Sequence, residues 1–106
     1  MDMRKNQKTE DLIGAFLALE TAREARLFLR DLLTEKELLE LGNRWQAVRM
    51  LSGKIAYTEI IEKTGLSSTT IARISKWLQG GMGGYRLMLE KLSNNHHATL
   101  SHPRKR

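Results

Sequence analysis

The sequence predicts an all-α fold carrying a helix-turn-helix, and three observations predict it. Proline is absent before Pro103, and no segment alternates apolar and polar residues with the period of two that a half-buried strand requires. Apolar residues recur instead at intervals of three and four along most of the chain. The stretch GLSSTTIARISKW, Gly65 to Trp77, sets a glycine turn and a run of short hydroxyls directly ahead of a helical apolar pattern.

Taken in order, Thr9 is the expected cap of a first helix whose apolar residues are Leu12, Ile13, Phe16, Leu17 and Leu19. Thr21 is the expected cap of a second, with Ala25, Phe28, Leu29, Leu32 and Leu33 on one face. The run TEKE then forms a capping box, Thr34 with Glu37, and starts a helix expected to reach about Leu51. One side of that helix carries Leu38, Leu41, Trp45, Val48 and Leu51, and another carries Leu39, Ala47 and Met50. A helix with two apolar sides must be covered on both, which argues for a second copy of so short a chain. Gly42, inside it, costs roughly 1 kcal/mol against alanine and is expected to admit the close approach of another helix.

Ser52-Gly53 ends this helix, and a short one follows at about Tyr57 to Thr64, stopped by Gly65. Ser67 or Ser68 caps the next, which should run to about Leu78, so the helix-turn-helix spans about 57–78. Ile60, Ile61, Leu66, Ile71 and Ile74 are spaced to fill the angle between its two helices. Beyond a flexible GGMGG connector, Tyr85, Met88, Leu89 and Leu92 mark a last amphipathic helix at about Gly84 to Ser93. Residues 1–93 are thus expected to form a single helical domain, and 94–106 a disordered, basic tail.

Charge is distributed unevenly. The formal net charge is +6, of which Arg104-Lys105-Arg106 supply half. Four basic residues face six acidic ones between Glu20 and Leu41, whereas six face two between Arg44 and Trp77. The basic excess therefore falls on the helix-turn-helix segment, and a polyanion is its natural partner. Hydroxyls at the start of the second motif helix can meet base edges or phosphates, and basic side chains further along can neutralise phosphates. The candidate DNA-binding residues are Lys54, Thr58, Ser67, Ser68, Thr69, Thr70, Arg73 and Lys76.

Other classes find little support. There is no cysteine, no histidine inside the folded region and no paired carboxylates in an apolar setting, so neither catalysis nor a cofactor is expected. His96-His97 on the tail make no dedicated metal site. The glycine cluster lacks the lysine and hydroxyl of a phosphate-binding loop. The run LIGAFLAL is far too short to cross a bilayer, and MDMRKNQKTE has no apolar stretch behind its charges. A cytoplasmic protein is expected.

The runs LLTEKELLELGNRW and SGKIAYTEIIEKTGLSSTTIARIS, followed by the closing helix, resemble the bacterial tryptophan repressor family, and most of all its YerC/YecD-type relatives. The resemblance covers about Leu32 to Leu92 and implies an intertwined homodimer whose two helix-turn-helix units enter successive major grooves of double-stranded DNA. In repressors of this family a bound tryptophan lies between two arginines, at positions matching Arg44 and Arg73, near a threonine matching Thr34. Two pocket positions depart: Ile74 stands for a glycine that makes room, and Trp77 for a serine that meets the ligand's amino group. At the DNA-facing positions Thr58 replaces an arginine and Ile61 a lysine. The expected function is a homodimeric, sequence-specific DNA-binding regulator, a repressor. Ile74 and Trp77 are expected to fill its pocket, so L-tryptophan is not expected as corepressor, and any small-molecule effector is unknown. The alternative is a dimeric protein-interaction module that uses the motif as scaffold.

Overall fold

The computed structural model describes residues 6–101, the side chains of residues 95–101 excepted. Its elements are α1 (Gln7–Ala18), α2 (Ala22–Leu32), α3 (Glu35–Ser52), α4 (Tyr57–Thr64), α5 (Ser68–Gly80) and α6 (Gly84–Ser101). No strand occurs among the described residues. Contacts along the chain group into two units, one ending at Leu39 and the other starting at Glu40.

In the first unit, helix starts are set by side-chain caps. Asn6 accepts the amides of Lys8 at 2.9 Å and Thr9 at 3.3 Å, so α1 begins at Gln7 and Thr9 lies within its first turn. The cap expected at Thr9 is thereby corrected: asparagine is at least as strong a cap as threonine and stands earlier in the chain. Thr21 caps α2 as expected, accepting the Glu24 amide at 3.1 Å, while the Glu24 carboxylate accepts the amide of Glu20 at 2.9 Å. Thr34 and Glu37 form the predicted box in both directions, at 3.0 and 2.9 Å. Phe16 and Phe28 meet edge to face with centroids 5.6 Å apart. No residue of α1 or α2 is buried, and Leu17 is 80% exposed.

The second unit holds the core. Ala47 and Val48 of α3, Ile60 of α4, and Ile71 and Ile74 of α5 are buried together, with Ile61, Leu66, Tyr85 and Leu89 packed partly against them. Burying each isoleucine contributes roughly 1.5–3 kcal/mol. The α3 helix closes through Lys54, whose left-handed conformation (φ 61°) costs about 1 kcal/mol for a residue with a Cβ. Its amide donates to the Leu51 carbonyl at 2.9 Å, and the Ile55 amide to that of Met50 at 3.0 Å.

Two helix ends lie beyond their expected positions. The α5 helix continues past Leu78 to Gly80, and α6 continues past Ser93 to Ser101. Residues 94–101 contain no glycine or proline to break the helix. His96-His97 and the basic end 104–106 lie outside the residues whose side chains are described. Around Gly42, a Cβ would meet nothing within 4 Å among the described residues of its own unit.

Candidate nucleic-acid interface and the cavity beside it

The turn between α4 and α5 is built from local chemistry. Gly65 adopts the left-handed conformation (φ 74°), which glycine enters without a Cβ penalty, and its amide donates to Ile61 at 2.8 Å. Thr64 is buried because its hydroxyl is satisfied twice. It donates to the Ile60 carbonyl at 2.7 Å and accepts the Leu66 amide at 3.2 Å. Ser67 is the N-cap of α5: its hydroxyl accepts the Thr70 amide at 3.1 Å and donates to the Thr70 hydroxyl at 3.0 Å.

These bonds sort the candidate hydroxyls. Ser67 and Thr70 hold the helix start, and Thr70 is half-buried. Ser68 and Thr69, in the first turn of α5, are exposed, as is Thr58 in the first turn of α4. Arg73 and Lys76 follow on α5, one turn apart and both exposed. Lys54 is exposed at the strained close of α3. The motif thus presents free hydroxyls at a helix N-terminus, where amide dipoles favour anions, with cations one and two turns behind.

A cavity of about 650 Å³ lies beside this helix. Arg44 and Trp45 of α3 line it, with Arg73, Ile74 and Trp77 of α5. Met82, Gly84, Tyr85 and Met88 complete its wall. Within one chain Ile74 and Trp77 line this space rather than fill it. Ile74 is 2% exposed because it belongs to the core, and Trp77 remains 52% exposed. Thr34 belongs to the first unit, where its hydroxyl accepts the Glu37 amide in the cap of α3. Arg44 is loosely paired with Glu40, at 3.8 Å.

Two residues that hold the far end of α5 escaped sequence reasoning. Gly81 leaves room for Trp77: a Cβ there would stand 2.6 Å from the Trp77 carbonyl oxygen and 2.8 Å from its ring. Arg86 of α6 donates from Nε to the Leu78 carbonyl at 3.1 Å and from Nη2 to that of Gln79 at 2.8 Å. It satisfies carbonyls that a helix end leaves orphaned and puts a cation at the negative pole of α5, whose own last turn has none. The glycine cluster was the available signal for the first. Nothing in the spacing marks the second.

The profile of the family described as Trp repressor protein matches residues 7–93. The chain belongs to the Trp repressor family. Members of this family are DNA-binding transcription regulators, not enzymes. The uncharacterized protein YerC of Bacillus subtilis (strain 168) is 29% identical over 92 residues, covering 87% of this chain and 88% of that one. Among solved structures, a TrpR-like protein from Eubacterium eligens ATCC 27750 matches with a TM-score of 0.79 at 38% identity, over 84% of this chain and 92% of its own. A proposed Trp repressor from Staphylococcus aureus matches with a TM-score of 0.79 at 30% identity, over 88% and 95%. No described helix is long and apolar enough to cross a membrane.

The two glycines that end α5 predict opposite responses. A Cβ at Gly80 meets nothing within 4 Å, so Gly80→Ala should stabilise by up to about 1 kcal/mol through helix propensity. Gly81→Ala forces Trp77 or the turn to shift and should cost about 1–3 kcal/mol. Urea denaturation of the two variants checks the signs. Equal effects would mean that Trp77 does not rest on Gly81.

Proposed function

We propose that this chain acts as a homodimeric, sequence-specific DNA-binding repressor in the cytoplasm and that L-tryptophan is not its corepressor. The observation that carries the DNA reading is the start of α5, where Ser68 and Thr69 stand exposed beyond a capped turn with Arg73 and Lys76 behind them. Ser68, Thr69 and Thr58 make the groove contacts; Lys54, Arg73 and Lys76 meet phosphates; Ser67 and Thr70 orient the helix start. Lys76→Ala should weaken binding to all duplexes similarly and shrink the salt slope by about one per subunit. Thr69→Ala should instead change the ranking of sequences. Salt-dependent affinity measurements on a duplex library read both, and a slope unchanged by Lys76→Ala places that ammonium away from the backbone.

Dimerisation is supported by apolar surface that one chain leaves uncovered. Leu12, Ile13, Phe16 and Leu17 of α1, Leu27 and Leu32 of α2, and Leu39 of α3 are all exposed. The two α5 helices of such a dimer would lie about 34 Å apart, one duplex turn. Gly42 supplies the test, because a Cβ there would meet nothing within 4 Å among the described residues of its own unit. In a monomer Gly42→Ala gains about 1 kcal/mol from helix propensity. In a dimer whose partner helix crosses at Gly42, the same change weakens association. Light scattering should give twice the chain mass for the wild type and an unfolding midpoint that rises with concentration. A stable monomer at micromolar concentration overturns the dimer.

The reading on tryptophan rests on Ile74 and Trp77, which stand where the family has a glycine and a serine. The cavity they border has lost the small hydroxyl that would meet an amino group and gained a branched wall. Such a change costs about 1–3 kcal/mol, one to two decades of affinity, before the hydrogen bond is counted. Calorimetry with L-tryptophan should show no saturable binding below about 100 µM, near −5.5 kcal/mol. Tighter binding that also raises DNA affinity would refute it.

A further inference from the structure

We infer that Arg86 is a positioning residue for DNA recognition: it holds α5 at the angle from which Ser68 and Thr69 read bases, without touching DNA itself. The inference deepens the proposed DNA reading and rests on it. Its basis is a pair of bonds that cross from one helix to the next. Arg86 is exposed and lies in the first turn of α6, yet its guanidinium turns back to α5. Nε donates to the Leu78 carbonyl at 3.1 Å and Nη2 to the Gln79 carbonyl at 2.8 Å. The Gly81 amide donates to the Trp77 carbonyl at 2.9 Å. Three of the last four carbonyls of α5 are thus satisfied, two of them by this one side chain.

For α6 alone the position is a poor one. A cation in the first turn opposes that helix's own dipole, and the turn carries no acidic residue to offset it. Arg86 is placed instead for α5, whose last turn has no basic residue of its own. The turn between the helices cannot do the same work: four of its five residues, Gly80 to Gly84, are glycines, and the fifth, Met82, is exposed. Tyr85 and Leu89 of α6 pack partly against the core, but apolar contact is non-directional and tolerates tilt. Two bonds from a planar fork fix a direction. At 1.5 Å per residue, Ser68 lies about 16 Å along α5 from the carbonyls that Arg86 holds. A tilt of about 5° over that length moves the helix start by about 1.4 Å. Hydrogen bonds to base edges, roughly 2.7–3.2 Å long, do not survive such a shift. The attraction of Arg73 and Lys76 for phosphates falls off slowly with distance and does survive it. Losing Arg86 should therefore cost sequence discrimination while general affinity for DNA persists.

The test compares the full wild-type chain with Arg86→Met, which keeps an apolar stem and loses the donors, and Arg86→Lys, which keeps the charge and loses the fork. Each is titrated over a salt series with two duplexes, the one that the wild type ranks highest in a random library and a scrambled one. Arg86→Met should weaken the preferred duplex by about tenfold and the scrambled one by less than about twofold, with the salt slope unchanged. Arg86→Lys should fall between Arg86→Met and the wild type. Without DNA, hydrogen exchange at the Gly81 amide should quicken at least about fivefold in Arg86→Met, because the last turn of α5 opens more often. A salt slope smaller by about one per subunit means that Arg86 itself meets a phosphate, and overturns the inference. Proportional weakening of both duplexes overturns it too, as does unchanged exchange at Gly81. If Arg86→Met does not fold, the ratio of the two affinities in Arg86→Lys decides. A wild type that ranks no duplex above another ends the DNA reading and this inference with it. A wild type that discriminates, beside an Arg86→Met that discriminates equally, ends this inference alone.

Discussion

Three isoleucines hold α4 and α5 at a fixed angle, and every functional feature of the second unit depends on that angle. Ile60 comes from one helix, Ile71 and Ile74 from the other, and all three are buried against Ala47 and Val48 of α3. On the turn side, polar groups that would otherwise be unsatisfied are closed off by their neighbours: Thr64 by Ile60 and Leu66, Ser67 by Thr70. Apolar burial supplies the free energy, and the hydrogen bonds select one geometry from those that burial alone would permit. With the angle fixed, Ser68 and Thr69 have no packing role and remain exposed at the helix start.

The opposite end of α5 is held by a different device. Its last turn carries no basic residue, and the carbonyls of Leu78 and Gln79 would face solvent without charge compensation. Arg86 reaches them from the next helix, so the cation that completes α5 also ties α6 to it. Between the two lies the glycine-rich turn, where the missing side chain of Gly81 lets Trp77 rest against the backbone. The indole is therefore held at the edge of the cavity, half exposed, instead of inside it.

Legibility in the sequence follows the range of the interaction responsible. The capping box of Thr34 and Glu37, the Thr21 cap, the Gly65 stop and the isoleucine wedge are all written within a few residues, and each was readable. The start of α1 was misplaced because two good caps, Asn6 and Thr9, compete and the earlier one won. The extent of α6 was underestimated because an apolar pattern ends where packing ends, whereas residues 94–101 hold no glycine or proline to break the helix. Of the candidate site, the exposed hydroxyls and cations on α5 were legible from helical spacing. The choice of Ser67 over Ser68 as the cap of α5 was not, since a hydroxyl is equally suited to cap or to contact until its partner is known. Arg86 was hidden altogether, because its bonds cross seven and eight residues to backbone groups that any sequence would provide.

One helix consequently carries two surfaces that share a residue. Arg73 is exposed toward solvent on the proposed DNA face and also lines the cavity. A guanidinium has five donors in one plane, but only one net charge to offer. An anion in the cavity and a phosphate on the DNA would both draw on that charge, and thermodynamic linkage makes any such coupling reciprocal. Its sign depends on whether the cavity anion draws the guanidinium off the DNA face or orients it there. Lys76, which borders a neighbouring cleft of about 430 Å³ but not this cavity, is free of that conflict. The same α5 helix can thus keep a constant, sequence-independent attraction through Lys76 while a variable one passes through Arg73. That separation gives the proposed reading helix a route by which a small molecule beside Arg73 can be felt at the DNA.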